Sequence, residues 1–532
     1  MDDMKTADNA EESRQTATAP WESHQDIVAE VERLKEKYSS EDLSVAEALC
    51  DAHPAEDTAF ICVDERFEPY HLTYGELSAR SRRLASHLKE LGVGRESRVG
   101  VLMEKTAQLP IVQVALWRLG AVEVPLFTAF AGPAIATRVN GAEAALIVAD
   151  ADQQTKLGSI DIPVLSTGDE LDRAIDAHDP IDTAEAVGGD GLFLQLYTSG
   201  TTGSPKAVGV PGRAIGAFIA YMRYGLDVTD DDVFWNAADP GWAYGLYYGI
   251  VGPLAIGKPN ILFAGRFSPE STGRLFNDLK VTNLAAAPTV YRALKKDGVT
   301  AEPPLRVASS AGEPLTSDVV EWAPEALGVI VRDHWGQTEQ GMAICNPWDE
   351  RLISDVVPNS MGQALPGFVA GLVGTSIALS VTASPLMWFT GYVGDSEKTK
   401  ERFTEDGEWY YTGDVGRLDG PNFFFGSRDD DLILAAGYRI SPFDIESILV
   451  TDEAIVEAAV VGRPDEIRGE AIEAFVVVDR EVPKEEFVKR LQQAVRETYG
   501  AHAYPRRVHV VDELPKTPSG KVQRFVLRER EV

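Results

Sequence analysis

The sequence predicts an α/β fold, with a large N-terminal α/β domain followed by a small α+β domain. Three observations predict it. Short apolar runs such as RVGVLME, AVEVPL and AALIVAD alternate with helical stretches such as QLPIVQVALWRLG, which is how parallel strands joined by crossover helices read. The alternation continues through DDVFWNAAD, PNILFAG, VTNLAAAP and LRVASS. After about residue 427 the units shorten: AIVEAAVVGR and EAIEAFVVVDR read as strands, KEEFVKRLQQAVRETYG as a helix and RRVHVVDEL as a last strand, a unit of about 100 residues.

The elements follow in order. MDDMKTADNAEESRQTATAP is polar and acidic and predicts a disordered tail over residues 1–20. It has neither the cationic nor the apolar region of a secretory signal, so the expected location is the cytoplasm. Residues 22–38 have helical spacing and mixed charge. Thr73 and Glu76 make the T-x-x-E pattern of a capping box ahead of the helix GELSARSRRLASHLKELG, and Gly92 stands where a C-terminal cap belongs. Charge and glycine interrupt the apolar pattern at GSRDDDLILAAGYRI, which sets the expected domains at 21–428 and 429–532. No run of about 18 uncharged apolar residues occurs, so no membrane span is expected.

Charge excludes a further class. The 83 acidic and 50 basic residues give a net charge of −33, a field that repels nucleic acid and anionic membranes. The surplus is spread along the chain, which fits a merely acidic protein or, the reading preferred, one adapted to high salt, where screening shortens repulsion. Three cysteines (Cys50, Cys62, Cys345) are widely spaced and the eight histidines scattered, so neither a disulfide framework nor a zinc site is expected. Nothing in the sequence speaks to oligomeric state.

One loop carries chemistry. LYTSGTTGSPKAVGV (Leu196–Val210) follows the apolar run GLFLQL. Gly200 and Gly203 let backbone N–H groups converge on an anion. Thr198, Ser199, Thr201 and Thr202 add hydroxyl donors, and Lys206 adds a point charge. Together they would wrap a polyphosphate. The order is not that of a Walker A loop, and no GxGxxG fingerprint stands out.

YTSGTTGSPKAV resembles the phosphate loop of the adenylate-forming enzymes, which include acyl-CoA synthetases, non-ribosomal peptide adenylation domains and luciferases. Further matches follow in that family's order, from about residue 45 to the C-terminus. SSAGEPL resembles the turn facing adenine, with Gly312, Glu313 and Pro314 beside the ring. RDHWGQTEQG implies that Asp333, His334, Trp335, Gly336, Gln337 and Thr338 line adenine and the α-phosphate and that Glu339 is the Mg²⁺ ligand. In WYYTGDVGRLDG, Asp414 matches the aspartate that holds the ribose hydroxyls. GSRDDDLILAAGYRI supplies Arg428 for the nucleotide, Asp430 as the hinge, and Gly437, Tyr438 and Arg439 for the pantetheine of coenzyme A. In LPKTPSGKVQR, Lys521 matches the lysine that enters the site for the first half-reaction.

The resemblance implies a large domain of several sheets with a mobile C-terminal domain. It implies an acyl-CoA synthetase using ATP, Mg²⁺ and coenzyme A, with Lys521, Thr202 and Glu339 serving the chemical step. A carboxylate attacks the α-phosphorus of ATP to give an acyl-adenylate and pyrophosphate, and a thiol then takes the acyl group. No general base is needed, because the carboxylate is already ionised. Acetyl-CoA synthetases carry WWQTE where this chain has HWGQTE, so Gly336 is expected to open the acyl pocket to short, medium, branched or aromatic acids. GWAYGLYYG resembles a segment of medium-chain acyl-CoA synthetases, placing Trp242 at the acyl channel, with an ordinary core helix as the alternative.

Two departures stand out. The stretch 368–388 is shorter than the family's usual hairpin, and GVP stands after GSPKAV where many relatives have a histidine. Three other functions remain open: an acetate-CoA ligase, an adenylating enzyme with a carrier-protein acceptor, and an inactive nucleotide-binding relative. No carrier segment follows Val532, so free coenzyme A is the expected acceptor, and Lys521, Glu339 and Asp414 weigh against the inactive relative.

Overall fold

The structure, a computed structural model, describes residues 14–198, 205–428, 431–435, 438–465, 469–500, 503–517 and 521–530. Two mainly parallel sheets form the bulk of the chain. In the larger, of nine strands, the parallel run is Arg332–Gln337, Val307–Ala311, Asn283–Ala286, Phe234–Asn236, Asn260–Phe263 and Thr58–Val63. Antiparallel neighbours close both ends. The second has six strands, with Val164–Ser166, Leu146–Ala149, Arg98–Leu102, Val122–Pro125 and Leu192–Thr198 parallel and Lys206–Pro211 antiparallel at the edge. The expected α/β construction and the expected strand runs are therefore present.

Helix Gln25–Tyr38 forms as its spacing requires, burying Ile27, Val31, Leu34 and Tyr38. Helix Tyr74–Glu90 is capped by Thr73, whose side chain accepts from the Glu76 N–H. The capping box stays half made, because the Glu76 carboxylate accepts from the Tyr70 hydroxyl instead. Gly92 takes a φ of 87°, the left-handed turn that ends such a helix.

A third sheet is antiparallel: Ala370–Val373, Ser376–Ser380, Trp409–Asp419 and Asn422–Arg428, with Arg14–Thr16 on its edge. The last strand corrects the expected tail. Arg14 pairs with Val373 and Thr16 with Gly371, Ala17, Ala19 and Trp21 are buried, and the Trp21 indole donates to the Phe368 carbonyl at 3.1 Å. Residues 14–20 are thus built into the fold, because edge pairing uses backbone groups and does not need apolar side chains. The short stretch after residue 368 keeps its hairpin, and the N-terminal strand widens it.

Between the layers lies an aromatic core of Phe218, Tyr221, Tyr247, Tyr248 and Trp388, all buried. Beyond residue 430 the chain forms its own sheet from Tyr438–Ile440, Ile433–Ala435, Gly469–Val478, Ile455–Asp465 and Arg507–Val510. Helices Pro442–Leu449 and Lys484–Thr498 cover it over a separate core that includes Ile445, Phe487 and Leu491. It touches the preceding strand where the Ser441 hydroxyl donates to the Gly426 carbonyl and Phe425 meets Phe443 at 6.0 Å. No helix among the described residues is long and apolar enough to cross a membrane.

One ion-pair network holds the N-terminal helices. Arg118, fully buried, donates to both Asp51 oxygens at 2.7 and 2.6 Å and to Ser81 at 2.9 Å, while Arg82 reaches Asp51 at 2.8 Å. Burial pushes the Asp51 carboxyl up, but bonds from Arg118 and Ser78 outweigh it and hold it below the usual carboxylate range. Arg118→Met removes one partner of a buried charge, and the retained Arg82 softens the loss. The expected cost is at the low end for such breaks, about 3 kcal/mol, read by chemical denaturation.

Candidate active site

The edge hairpin of the six-stranded sheet flanks the loop expected to bind phosphate. Thr198 ends one strand and Lys206 begins the next, and the two are directly paired. The Thr198 hydroxyl is buried with no partner among the described residues. Ser199, Gly200, Thr201, Thr202 and Gly203 lie outside the described residues. Lys206 Nζ is 3.2 Å from the Tyr392 hydroxyl and 4.7 Å above its ring.

No motif in the sequence singles out Tyr392. Its hydroxyl donates to Glu339 Oε1 at 2.8 Å, so one tyrosine ties the loop lysine to the expected metal ligand. Burial lowers the Lys206 ammonium's affinity for its proton, and Arg402 lowers it further, while Glu339 opposes them. Mg²⁺ takes one or two carboxylates and completes its shell with phosphate oxygens and water. Glu339 fits that demand, being buried and already oriented. Among the described residues no three carboxylate, imidazole or thiol ligands gather here. The donor set therefore suits an ion that arrives with its phosphates, not a cage made by protein.

The ends of two parallel strands supply the next wall, the usual ligand position in open α/β sheets. Val307–Ala311 runs out into Gly312, Glu313 and Pro314, and Glu313 pairs with Arg292 at 3.0 Å. On Arg332–Gln337, Asp333 is half-buried with its Oδ1 closed off and unpartnered among the described residues. Burial pushes this carboxyl up to about 8, against hydrogen bonds from the Leu315 and His334 N–H groups. His334 is different. Its Nδ1 is 2.7 Å from the Tyr221 hydroxyl and its Nε2 3.0 Å from the Asn346 carbonyl, and burial pushes it down to about 3. Both ring nitrogens are committed to the core, so its side chain does not line a nucleotide pocket as expected. The Thr338 carbonyl accepts from the Tyr247 hydroxyl at 2.9 Å.

Asp414 is where the two sheets meet. Its Oδ2 accepts from Trp335 Nε1 at 2.9 Å and Gln337 Nε2 at 3.2 Å, and its Oδ1 is 3.2 Å from Arg428 Nε. Burial pushes the carboxyl up, while Arg428, Trp335 and Lys521 act against it. Lys521 is exposed and lies near enough to Asp414 and Arg428 for their charges to act on it. Desolvation lowers its affinity for a proton, Arg428 adds to that, and Glu313, Asp414 and Glu339 oppose it. Residues from four distant parts of the sequence thus share one field.

The expectation at Gly336 is corrected. A Cβ there would meet the Gly341 carbonyl oxygen at 2.3 Å, Met342 Cα at 2.6 Å and Met342 Sδ at 2.7 Å. The missing indole leaves no cavity at this point, because the paired strand Gly341–Cys345 has closed on the glycine across a bulge between Trp335 and Gly336. Trp242 is half-buried, its Nε1 without a partner among the described residues. Its neighbours Tyr244, Tyr247 and Tyr248 are buried in the core, as an ordinary core helix requires. Gly437 and Asp430 lie outside the described residues. Tyr438 is exposed on the edge strand of the C-terminal sheet, and Arg439 pairs through its backbone with Leu434.

The chain belongs to the AMP-binding enzyme family: residues 46–376 match the family model described as AMP-binding enzyme, and residues 444–521 match the AMP-binding enzyme C-terminal domain. It is 32% identical over 501 residues to the acetyl-coenzyme A synthetase of Bacillus subtilis, covering 88% of this chain and 86% of that one. It is also 32% identical over 513 residues to the mitochondrial acyl-coenzyme A synthetase ACSM3 of Mus musculus, covering 89% and 86%. Among solved structures it resembles an acyl-CoA synthetase of Brucella canis, with 36% identity, a TM-score of 0.74 and coverage of 95% and 98%. ATP-bound MatB from Rhodopseudomonas palustris superposes with a TM-score of 0.81 at 27% identity, covering 91% and 98%.

Two outcomes are expected. Gly336→Ala overpacks the hairpin and should cost about 1–3 kcal/mol in denaturant melts without widening the range of acids used; wild-type stability with a wider range would contradict the closed hairpin. Asp333 is expected to weaken the fold as pH rises, because its carboxyl titrates near 8 when folded and near 3.8 when unfolded. Between those values the unfolded chain releases a proton that the folded chain keeps. Asp333→Asn should flatten that decline and raise the melting temperature at neutral pH.

Proposed function

We propose that the chain is an acyl-CoA synthetase that activates a carboxylic acid with ATP and passes the acyl group to coenzyme A. What carries the reading is the meeting of Lys521 with Glu313, Asp414, Glu339 and Arg428 in one cleft, beside the hairpin that begins at Lys206. Family membership and relatives named as acetyl- and acyl-coenzyme A synthetases support it.

In this reading the loop Thr198 to Lys206 holds the β- and γ-phosphates, with Thr202 facing the reacting phosphate. Asp414 accepts the ribose hydroxyls, as one carboxylate can from a diol. Gly312, Glu313 and Pro314 with the backbone of 333–338 frame adenine, and Arg428 stands by the nucleotide. Mg²⁺, held by Glu339 and phosphate oxygens, supplies charge neutralisation when bound. The carboxylate oxygen attacks the α-phosphorus and pyrophosphate leaves. Two anions must approach, so positioned cations dominate the rate. Lys206 and Lys521 suit this task because both are partly stripped of water and lie near other cations. Among the described residues neither forms an ion pair with a carboxylate.

For the second step the domain 429–532 turns about Asp430 relative to 21–428, withdrawing Lys521 and bringing Gly437, Tyr438 and Arg439 to the thiol. The acid is short to medium, branched or aromatic, with Trp242 at its channel. Gly336, packed against the Gly341 carbonyl and Met342, does not extend that channel.

An acid panel from acetate to octanoate plus benzoate tests the reading, scored by AMP release with coenzyme A and by ATP–pyrophosphate exchange. Exchange with no acid, in low or high salt, would leave only the inactive relative. Thioester formation on a carrier protein but not on free coenzyme A would move the acceptor. Lys521→Ala is expected to cut exchange about 10²–10³-fold, the usual loss when one positioned electrostatic donor is removed.

A further inference from the structure

Two of the scattered histidines meet outside the cleft. His87 and Glu90 lie three residues apart on helix Tyr74–Glu90 and so project from one face. His178 ends helix Asp169–Ala177. One ligand atom from each of the three lies within 4.8 Å of the other two. The imidazole rings meet edge to face with centroids 4.8 Å apart. His178 Nδ1 lies 2.6 Å from the Ala174 carbonyl, which makes that nitrogen a donor and turns Nε2 toward Glu90 Oε2, 3.1 Å away. His87 Nδ1 is buried and has no partner among the described residues. Glu170, from the facing helix, adds negative charge near His87.

We propose that His87, Glu90 and His178 bind a transition-metal ion of the zinc class. Two imidazoles and one carboxylate suit Zn²⁺, whose bonds of about 2.0–2.2 Å require ligand atoms a little over 3 Å apart. That matches the present Nε2 to Oε2 spacing of 3.1 Å, and a His87 nitrogen already lies within 4.8 Å of a ligand atom from each partner. Mg²⁺ and Ca²⁺ prefer oxygen shells and are poor fits. His178 is already held by the backbone carbonyl bond that commonly orients a metal-bound imidazole. The Glu90 side chain is mostly exposed, which leaves an entry path and an outer position for water or Glu170. On binding, the ion replaces the proton shared between His178 Nε2 and Glu90, which passes to solvent.

The site would staple two helices that otherwise meet through the Arg80–Asp172 ion pair, Arg83 donating to the His178 carbonyl at 2.9 Å and Ser86 donating to the Asp179 carbonyl at 2.6 Å. It uses none of the residues assigned to nucleotide or acid, so it stands apart from the proposed reaction.

The test uses the tag-free full chain, stripped with chelator and titrated with Co²⁺ as a visible-absorption probe and with Zn²⁺ in competition. About one equivalent of Co²⁺ is expected at the site, giving an intense visible band that Zn²⁺ abolishes, and Zn²⁺ but not Mg²⁺ should raise the melting temperature by a few degrees. His87→Gln and His178→Gln should each weaken binding at least about ten-fold, while the exposed control His71→Gln leaves it unchanged. No band in wild type, or an unchanged band in the His87→Gln, His178→Gln double variant, overturns the proposal. If the variants do not fold, carbethoxylation of wild type read by mass spectrometry decides: Zn²⁺ must protect His87 and His178, and unprotected histidines overturn it.

Discussion

A buried carboxylate couples the two halves of the cleft. Asp414 belongs to the antiparallel sheet, while Trp335 and Gln337, which donate to it, belong to the nine-stranded sheet. Taking this charge from water is costly unless donors replace the lost hydration. The indole and the amide do so at Oδ2, while Oδ1 faces Arg428 at 3.2 Å with no hydrogen-bond donor among the described residues, and the requirement fixes how the sheets approach. Tyr410 and the Thr412 carbonyl extend the same contact through Gln337 at 3.1 and 2.8 Å. Hydroxyls brought by a ligand would join the two donors already on Oδ2 and could supply the hydrogen bond that Oδ1 lacks among the described residues.

Around that anchor the charge balance inverts. The whole chain carries −33, a field unfavourable to a polyphosphate. Lys206, Arg402, Arg428 and Lys521 nevertheless lie within reach of one another, with Glu313, Glu339 and Asp414 as the carboxylates acting on them. Burial first and neighbouring cations second lower the proton affinity of Lys206 and Lys521, and an incoming anion would offset both. Local Coulomb attraction at a few ångströms exceeds the screened field of distant surface carboxylates, and the more so at high ionic strength.

Much of this was legible. Period and punctuation gave the parallel strands, since each buried run is short and bounded. Lys206, Glu313 and Asp333 stand at or beside strand ends, where short local sequences can mark a ligand-facing position. Four features could not be read. Arg14–Thr16 pairs by backbone, so polar composition hides it. His334 sits in a motif yet turns into the core, because alternation along the strand sends it opposite Asp333. Gly336 reads as space in a one-dimensional comparison, whereas the strand across from it decides what fills the space. His87 and His178 lie on separate helices, and only their packing brings them together.

The C-terminal lysine also has a mechanical context that local sequence does not express. Helix Arg524–Glu529 follows Lys521 directly. Arg524 grips both oxygens of Glu446 at 2.8 Å and reaches Asp431 at 3.5 Å, and Arg528 holds Asp431 at 2.7 Å. Glu446 in turn accepts from the Val460 N–H at 2.7 Å, joining helix Pro442–Leu449 to the sheet. Asp431 is the residue next to the proposed hinge. A turn at Asp430 would therefore carry Lys521 as part of one stiff body, because the arginines tie its helix to the first residue beyond the pivot. Breaking such buried pairs costs more than turning one backbone torsion. In such a turn the lysine and the Tyr438 edge strand would move together, so that the proposed retreat of one and arrival of the other would be the same motion.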